Sequence, residues 1–203
     1  GNGDLYAKQI LASLPQTETA YDWLKERIGS FDFVDSFEGD VQSVGTTRDQ
    51  ALAAIVFSHS GETTLAKRLL SALQALQNPD GSWYRSYDAN SGISGDPYLE
   101  KRTEDAAWAI LAVSHYGWQS GDKSFLPMAE LTASWLLNQQ DMNGTSAAYG
   151  AVRAGEKQGI ALTDILTVEN ELAYAALNAH GDLARNNSYR ERAGLIKAFL
   201  LGN

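Results

Sequence analysis

The sequence predicts an all-α protein of about four antiparallel helical hairpins, and three observations carry that prediction. A fifteen-residue pattern occurs three times, a one-sided apolar stretch follows each copy, and the connections alternate between short and long. The copies span residues 47–61 (TRDQALAAIVFSHSG), 103–117 (TEDAAWAILAVSHYG) and 167–181 (TVENELAYAALNAHG), and they align without a gap. Repeats at fixed spacing imply stacking, because each unit buries its apolar face on the next.

Each copy reads as a helix with both ends marked. The leading Thr is a good N-cap, since its hydroxyl can accept a backbone N–H left unpaired in the first turn. An acid stands third (Asp49, Asp105, Glu169), where it suits the positive end of the helix dipole. The closing Gly is expected as a left-handed C-cap. Between these ends lie apolar runs at 52–57, 106–113 and 172–177 with almost no polar face, the mark of a helix enclosed by others. These are therefore the inner helices.

The partners are amphipathic. Residues 64–77 place Leu65, Leu69, Ala72, Leu73 and Leu76 on one stripe, and 125–140 and 188–201 repeat that arrangement. Ahead of the first copy, 4–14 and 19–28 read as another hairpin broken by Pro15, and 30–46 as a loop whose Phe31, Phe33 and Phe37 should fold back onto a neighbour. No linker interrupts the chain, so residues 1–203 are expected to form a single domain.

Connections after the inner helices are short (62–63, 118–124, 182–187), whereas those leading into them are long (30–46, 78–102, 141–166). The long loops therefore share the face of the inner-helix N-termini, and with it Asp49, Asp105 and Glu169. Long loops in a small domain are usually functional or disordered, and their shared position makes this the expected working face.

Composition narrows the partners. A net charge of −9 argues against nucleic acid and anionic membrane surfaces, and no apolar run approaches the roughly 20 residues of a membrane span. Without Cys there is no thiolate catalysis and no disulfide. The three His are too few and too scattered along the sequence to suggest a metal, and nothing calls for a cofactor. Residue 1 opens no signal-type segment, and a targeting segment ahead of it would leave no trace.

The segments Thr47-Arg48-Asp49-Gln50-Ala51-Leu52-Ala53, Leu76-Gln77-Asn78-Pro79-Asp80-Gly81-Ser82-Trp83-Tyr84, Glu104-Asp105-Ala106-Ala107-Trp108 and Thr167-Val168-Glu169-Asn170 resemble bacterial six-hairpin glycosidase-like proteins of the alpha/alpha-toroid fold. The resemblance is strongest over residues 45–201. It implies sugar binding in a cleft at the N-terminal ends of the inner helices, acid/base work by Asp or Glu, and, on the resemblance alone, a periplasmic or extracellular location. A Gln-x-x-Asp-Gly-Ser-Trp segment also occurs in terpenoid cyclases and complement thioester domains, but the Asp-rich prenyl motifs and the Cys that those reactions need are missing. The family ring closes with six hairpins against the four read here. That leaves a piece of a ring, an open arc, or a ring completed by another chain through self-association.

Glycoside hydrolysis needs two carboxyl groups, one of them protonated, about 5 to 5.5 Å apart for retention or roughly 6.5 to 9.5 Å for inversion. Asp49, Asp105 and Glu169 are the catalytic candidates, although stabilisation of each helix by about 0.3 to 1 kcal/mol would explain all three equally. Arg48, Glu104 and Asn170 beside them are candidate sugar ligands. Trp83, Tyr84 and Tyr87 could form a platform for sugar rings, with a plug between outer helices as the alternative for Trp83. Trp108, sixth in its copy, is the remaining aromatic candidate, with core packing as its alternative. The functional expectation is a glycoside hydrolase-like enzyme or a lyase acting on a poly- or oligosaccharide, against a non-catalytic glycan- or protein-binding module on the same scaffold.

Overall fold

A computed structural model describes residues 20–37, 39 and 43–202, so the helix expected over 4–14 lies outside the described residues. Seven helices are described: α1 (Ala20–Glu26), α2 (Thr47–His59), α3 (Thr63–Leu76), α4 (Thr103–Ser120), α5 (Leu126–Asn138), α6 (Thr167–Ala184) and α7 (Asn187–Leu201). The inner helices α2, α4 and α6 pack in sequence against one another, and α3, α5 and α7 each pack on the inner helix before them. Every described helix falls within three residues of its expected bounds. Among the described residues, three complete hairpins and α1 therefore make the alpha/alpha arrangement.

Small side chains set the inner spacing. Ala51, Ala53, Ala54, Ala106, Ala107, Ala109, Ala173 and Ala176 are buried on the inner helices, so much of the bulk of the core is supplied by other residues. Phe57, Leu69, Leu73 and Trp83 fill the space around α2 and α3, and Ile110, Trp135, Leu136, Leu177 and Ile196 fill that among α4 to α7.

The long loops hold short strands where irregular chain was expected. β1 (Val44–Thr46) pairs antiparallel with β2 (Ser86–Asp88), and β3 (Glu100–Arg102), β4 (Gly155–Lys157) and β5 (Ile160–Leu162) form a three-stranded sheet. Each sheet joins two loops, so the face that carries the long loops is a braced rim. Gly155 makes the β3–β4 pairing possible: at φ +127° a Cβ would stand 2.0 Å from the Lys101 carbonyl oxygen. Phe33 folds back as expected and meets the Tyr87 ring edge-on at 5.6 Å, whereas Phe37 remains exposed.

The repeated Thr, and the Gly of the second and third copies, have other tasks than the sequence suggested, whereas Gly61 takes the expected left-handed conformation (φ 85°) just past the end of α2. Thr46, one residue earlier, caps α2 by accepting from the Asp49 N–H. Thr47 is fully buried and donates its hydroxyl to the Tyr84 carbonyl at 2.7 Å, while its N–H reaches the Arg85 carbonyl at 3.0 Å. Thr103 does the same with Arg153 and Ala154 at 2.6 and 3.0 Å. The leading Thr is thus a clasp on the loop ahead of the next inner helix. Gly117 and Gly181 do not end their helices, which run on to Ser120 and Ala184; a Cβ on Gly117 would press on Leu183 at 3.0 Å, and one on Gly181 would press on Arg190 at 2.8 Å. In these two copies the Gly allows close packing, and Gly121 at φ 74° closes α4.

His180 on α6 is fully buried against the edge of Tyr189, with neither ring nitrogen hydrogen-bonded. Burial disfavours its cation and pushes its pKa down from 6.5 to about 4. The unfolded chain therefore binds the extra proton between these values, and stability falls as pH drops through that window, by about 3 kcal/mol in total. Urea titrations at pH 7 and pH 4 should show this loss shrinking in His180→Phe; an unchanged pH dependence would refute the assignment.

Candidate active site

The three first-turn acids share the rim, because α2, α4 and α6 are consecutive neighbours, but their surroundings differ. The Asp49 side chain is 30% exposed and lies 3.4 Å from Arg48 Nε. Arg48 extends Nη1 to Glu104 Oε1, also at 3.4 Å, so one guanidinium joins the starts of α2 and α4. Glu169 is almost fully enclosed and accepts a 2.6 Å bond from Arg102 Nη2, whose Nη1 stands 3.3 Å from Glu100. Arg85 approaches the same Glu100 oxygen at 3.8 Å. Burial raises the Glu169 pKa, Arg102 offsets part of that, and Oε2 has no hydrogen-bond partner.

Asp105 is the odd member. It is 5% exposed, and its Oδ2 is buried without a partner. Burial is the dominant influence and raises its pKa; the fields of Arg85, Arg48 and Arg102 oppose the shift, while Glu104 adds to it. The result is a carboxyl pushed up to about 8, which carries its proton at neutral pH. Five carboxyl groups (Asp49, Glu100, Glu104, Asp105, Glu169) stand around three guanidiniums (Arg48, Arg85, Arg102), and the one without a direct ion pair keeps the proton. A protonated acid at neutral pH is what proton donation to a leaving group needs.

The remaining expected ligands divide. Arg48 and Glu104 belong to this network and are partly exposed. Asn170 is fully buried; its Oδ1 accepts from the Val152 N–H, and its Nδ2 donates to the Val152 and Leu166 carbonyls. It holds the loop and has no group left for a sugar. Trp83 is 1% exposed and donates to the Leu73 carbonyl, the plug that was its alternative. Tyr87 is buried too, its hydroxyl accepting from the Tyr84 N–H. No stacking platform can form from Trp83 and Tyr87. Tyr84 and Trp108 are half-buried and pack on the same core.

The aromatic surface lies elsewhere on the rim. Phe37, Tyr98, Arg85, Asp96, Glu100 and Lys157 line a cavity of about 430 Å³, within the range of about 300 to 1,000 Å³ usual for ligand pockets. Lys157 Nζ stands 4.0 Å from the Tyr98 ring centroid. A second hollow of about 220 Å³ brings Asp49 beside Trp23, Leu24, Leu52 and Val56. Arg85, Glu100 and Arg102 carried no repeated sequence signal; only the position of Arg85 directly after Trp83-Tyr84, in a long aromatic loop, pointed towards it.

Solved structures can be superposed on this frame. An unsaturated glucuronyl hydrolase specific for heparin matches with a TM-score of 0.72 at 14% identity, covering 92% of this chain and 54% of that one. A GH8 endo-beta-1,4-glucanase from an Achatina fulica gut metagenomic library matches with a TM-score of 0.69 at 20% identity, covering 91% and 59%. The chain has the alpha/alpha-toroid fold of six-hairpin glycosidases. A sugar epimerase from a ruminal bacterium matches as well, with a TM-score of 0.64 at 13% identity over 89% and 52%. The chain spans little more than half the length of these structures. No family model matches the sequence, and no curated protein matches it. Among the described residues, no helix is long and apolar enough to cross a membrane.

Proposed function

We propose that this chain is a glycoside hydrolase-like enzyme acting on a poly- or oligosaccharide, with Asp105 as the general acid and Asp49 as the second carboxyl group. The observation that carries the reading is Asp105 itself: a rim carboxyl kept protonated by burial, with three guanidiniums in its field. The named activities of the superposable glucuronyl hydrolase and glucanase support it.

The chemistry follows from that placement. Asp105 gives its proton to the glycosidic oxygen as the C1–O bond breaks, and the sugar ring takes up positive charge. The Asp105 carboxylate formed in that step is stabilised by Arg85, Arg48 and Arg102, whose fields are in place before the reaction begins. Burial holds the proton in the resting site, and the arginines lower the barrier to its departure. Asp49, open to solvent on the neighbouring helix, serves the opposite face of the sugar as base or nucleophile. Glu169, enclosed under Arg102, supports the site from below.

The test is turnover of a panel containing unsaturated glucuronyl oligosaccharides and β-1,4-glucans, with products resolved chromatographically. A responsive substrate should lose kcat about tenfold per pH unit above about pH 8, where Asp105 gives up its proton. Saturable binding without product across the panel would replace this reading with the glycan-binding module.

A further inference from the structure

The opposite end of the inner helices carries a second group of polar side chains that the proposed reaction does not use. His59 and His115 hold the thirteenth positions of the first two copies, 56 residues apart in sequence, and the packing of α2 on α4 places His59 Nε2 2.8 Å from His115 Nδ1. Gln119, one turn after His115, puts Nε2 3.2 Å from His59 Nδ1. Trp118 meets the His115 ring edge-on at 5.5 Å, and its own ring is half exposed. The third copy has Ala179 at this position, so the pair is confined to one seam of the arc.

We propose that His59 and His115 form a two-imidazole site for a late first-row divalent cation, with Cu(II) favoured over Zn(II). The argument is geometric. Two nitrogens in adjacent positions of a tetragonal ion, each about 2.0 Å from the metal at 90°, are about 2.8 Å apart, whereas tetrahedral ligands are about 3.3 Å apart. The existing 2.8 Å separation already fits the tetragonal case, and the general affinity order also puts Cu(II) first.

The proton balance closes without release to solvent. In the metal-free pair one proton lies between the facing nitrogens; on binding it moves to His59 Nδ1, and the Gln119 amide turns its oxygen to accept it. A hydrogen bond of this kind on the far ring nitrogen fixes a ligating imidazole in its tautomer. Among the described residues no group of three or more His, Asp or Glu could hold an ion, so water completes the coordination and the site faces solvent.

Calorimetric titration of tag-free protein with copper(II) at pH 7 tests the site. One ion per chain should bind with a micromolar Kd, zinc at least tenfold more weakly. His59→Gln and His115→Gln should each weaken copper binding tenfold or more, and the copper EPR spectrum of the parent protein should show coupling to two imidazole nitrogens. His59 is exposed, so its replacement leaves the fold in place for the comparison. Copper affinity unchanged in both variants, or a spectrum without imidazole nitrogen coupling, would overturn the proposal.

Discussion

Asp105→Asn is expected to stabilise the protein and inactivate it in one step. In the folded state this carboxyl binds its proton up to about pH 8, against 3.8 for an ordinary Asp. Between these values the folded chain holds a proton that the unfolded chain has lost, so stability falls as pH rises through the window. Asn carries no such penalty. The gain should be absent below pH 4 and on the order of 4 kcal/mol at pH 7, a rise of roughly 10 °C in Tm for a chain of this size. Loss of the proton donor should lower kcat by at least about 10³-fold on a responsive glycan. Calorimetry at pH 4 and pH 7 separates the two effects, and a variant equally stable to the parent at both pH values would show that Asp105 is not held protonated by the fold.

Arg102→Gln should act in the opposite direction. Among the described residues, Arg102 provides the only hydrogen bond to the Glu169 carboxyl, and its removal strands that acid beneath the rim. Breaking a buried pair from one side costs about 3 to 5 kcal/mol. Adding Glu169→Gln should recover most of the loss, because an amide can occupy the site without charge. A double variant no more stable than Arg102→Gln would mean that Arg102 acts through Glu100 alone. Urea midpoints of the parent, both single variants and the double variant decide between these outcomes.

The helices and their faces were legible because both depend on local periodicity, and periodicity survives in a single sequence. The rim acids were legible for a related reason, since three aligned copies place Asp49, Asp105 and Glu169 at one level. Their difference was not. What separates Asp105 from Asp49 is burial together with Arg85 and Arg102, which arrive on loops without the repeat and from strands three residues long. Trp83 and Tyr87 illustrate the same limit: their composition suits a sugar platform, but the turn after α3 directs them inward. Asn170 looked like a ligand because it follows an acid, and the structure uses it to hold the Val152 peptide. His59 and His115 share the thirteenth position of two aligned copies, so their common level was legible as well; their 2.8 Å contact was not, because it depends on how α2 packs on α4.

The threonine clasps have a consequence for how such a rim can change. Thr47 and Thr103 each grip the two-residue backbone step of the following loop through one hydroxyl and one N–H, and those bonds do not depend on which side chains the loop carries. Each loop is thereby a cassette with a fixed mounting, free to lengthen or exchange residues while its landing point on the preceding helix stays put. The lining of the rim cavities can drift by substitution between the mounts without disturbing the inner helices, and grafting the 78–102 or 141–166 segment between proteins of this fold is best done with the Tyr84-Arg85 or Arg153-Ala154 step kept in register with its Thr.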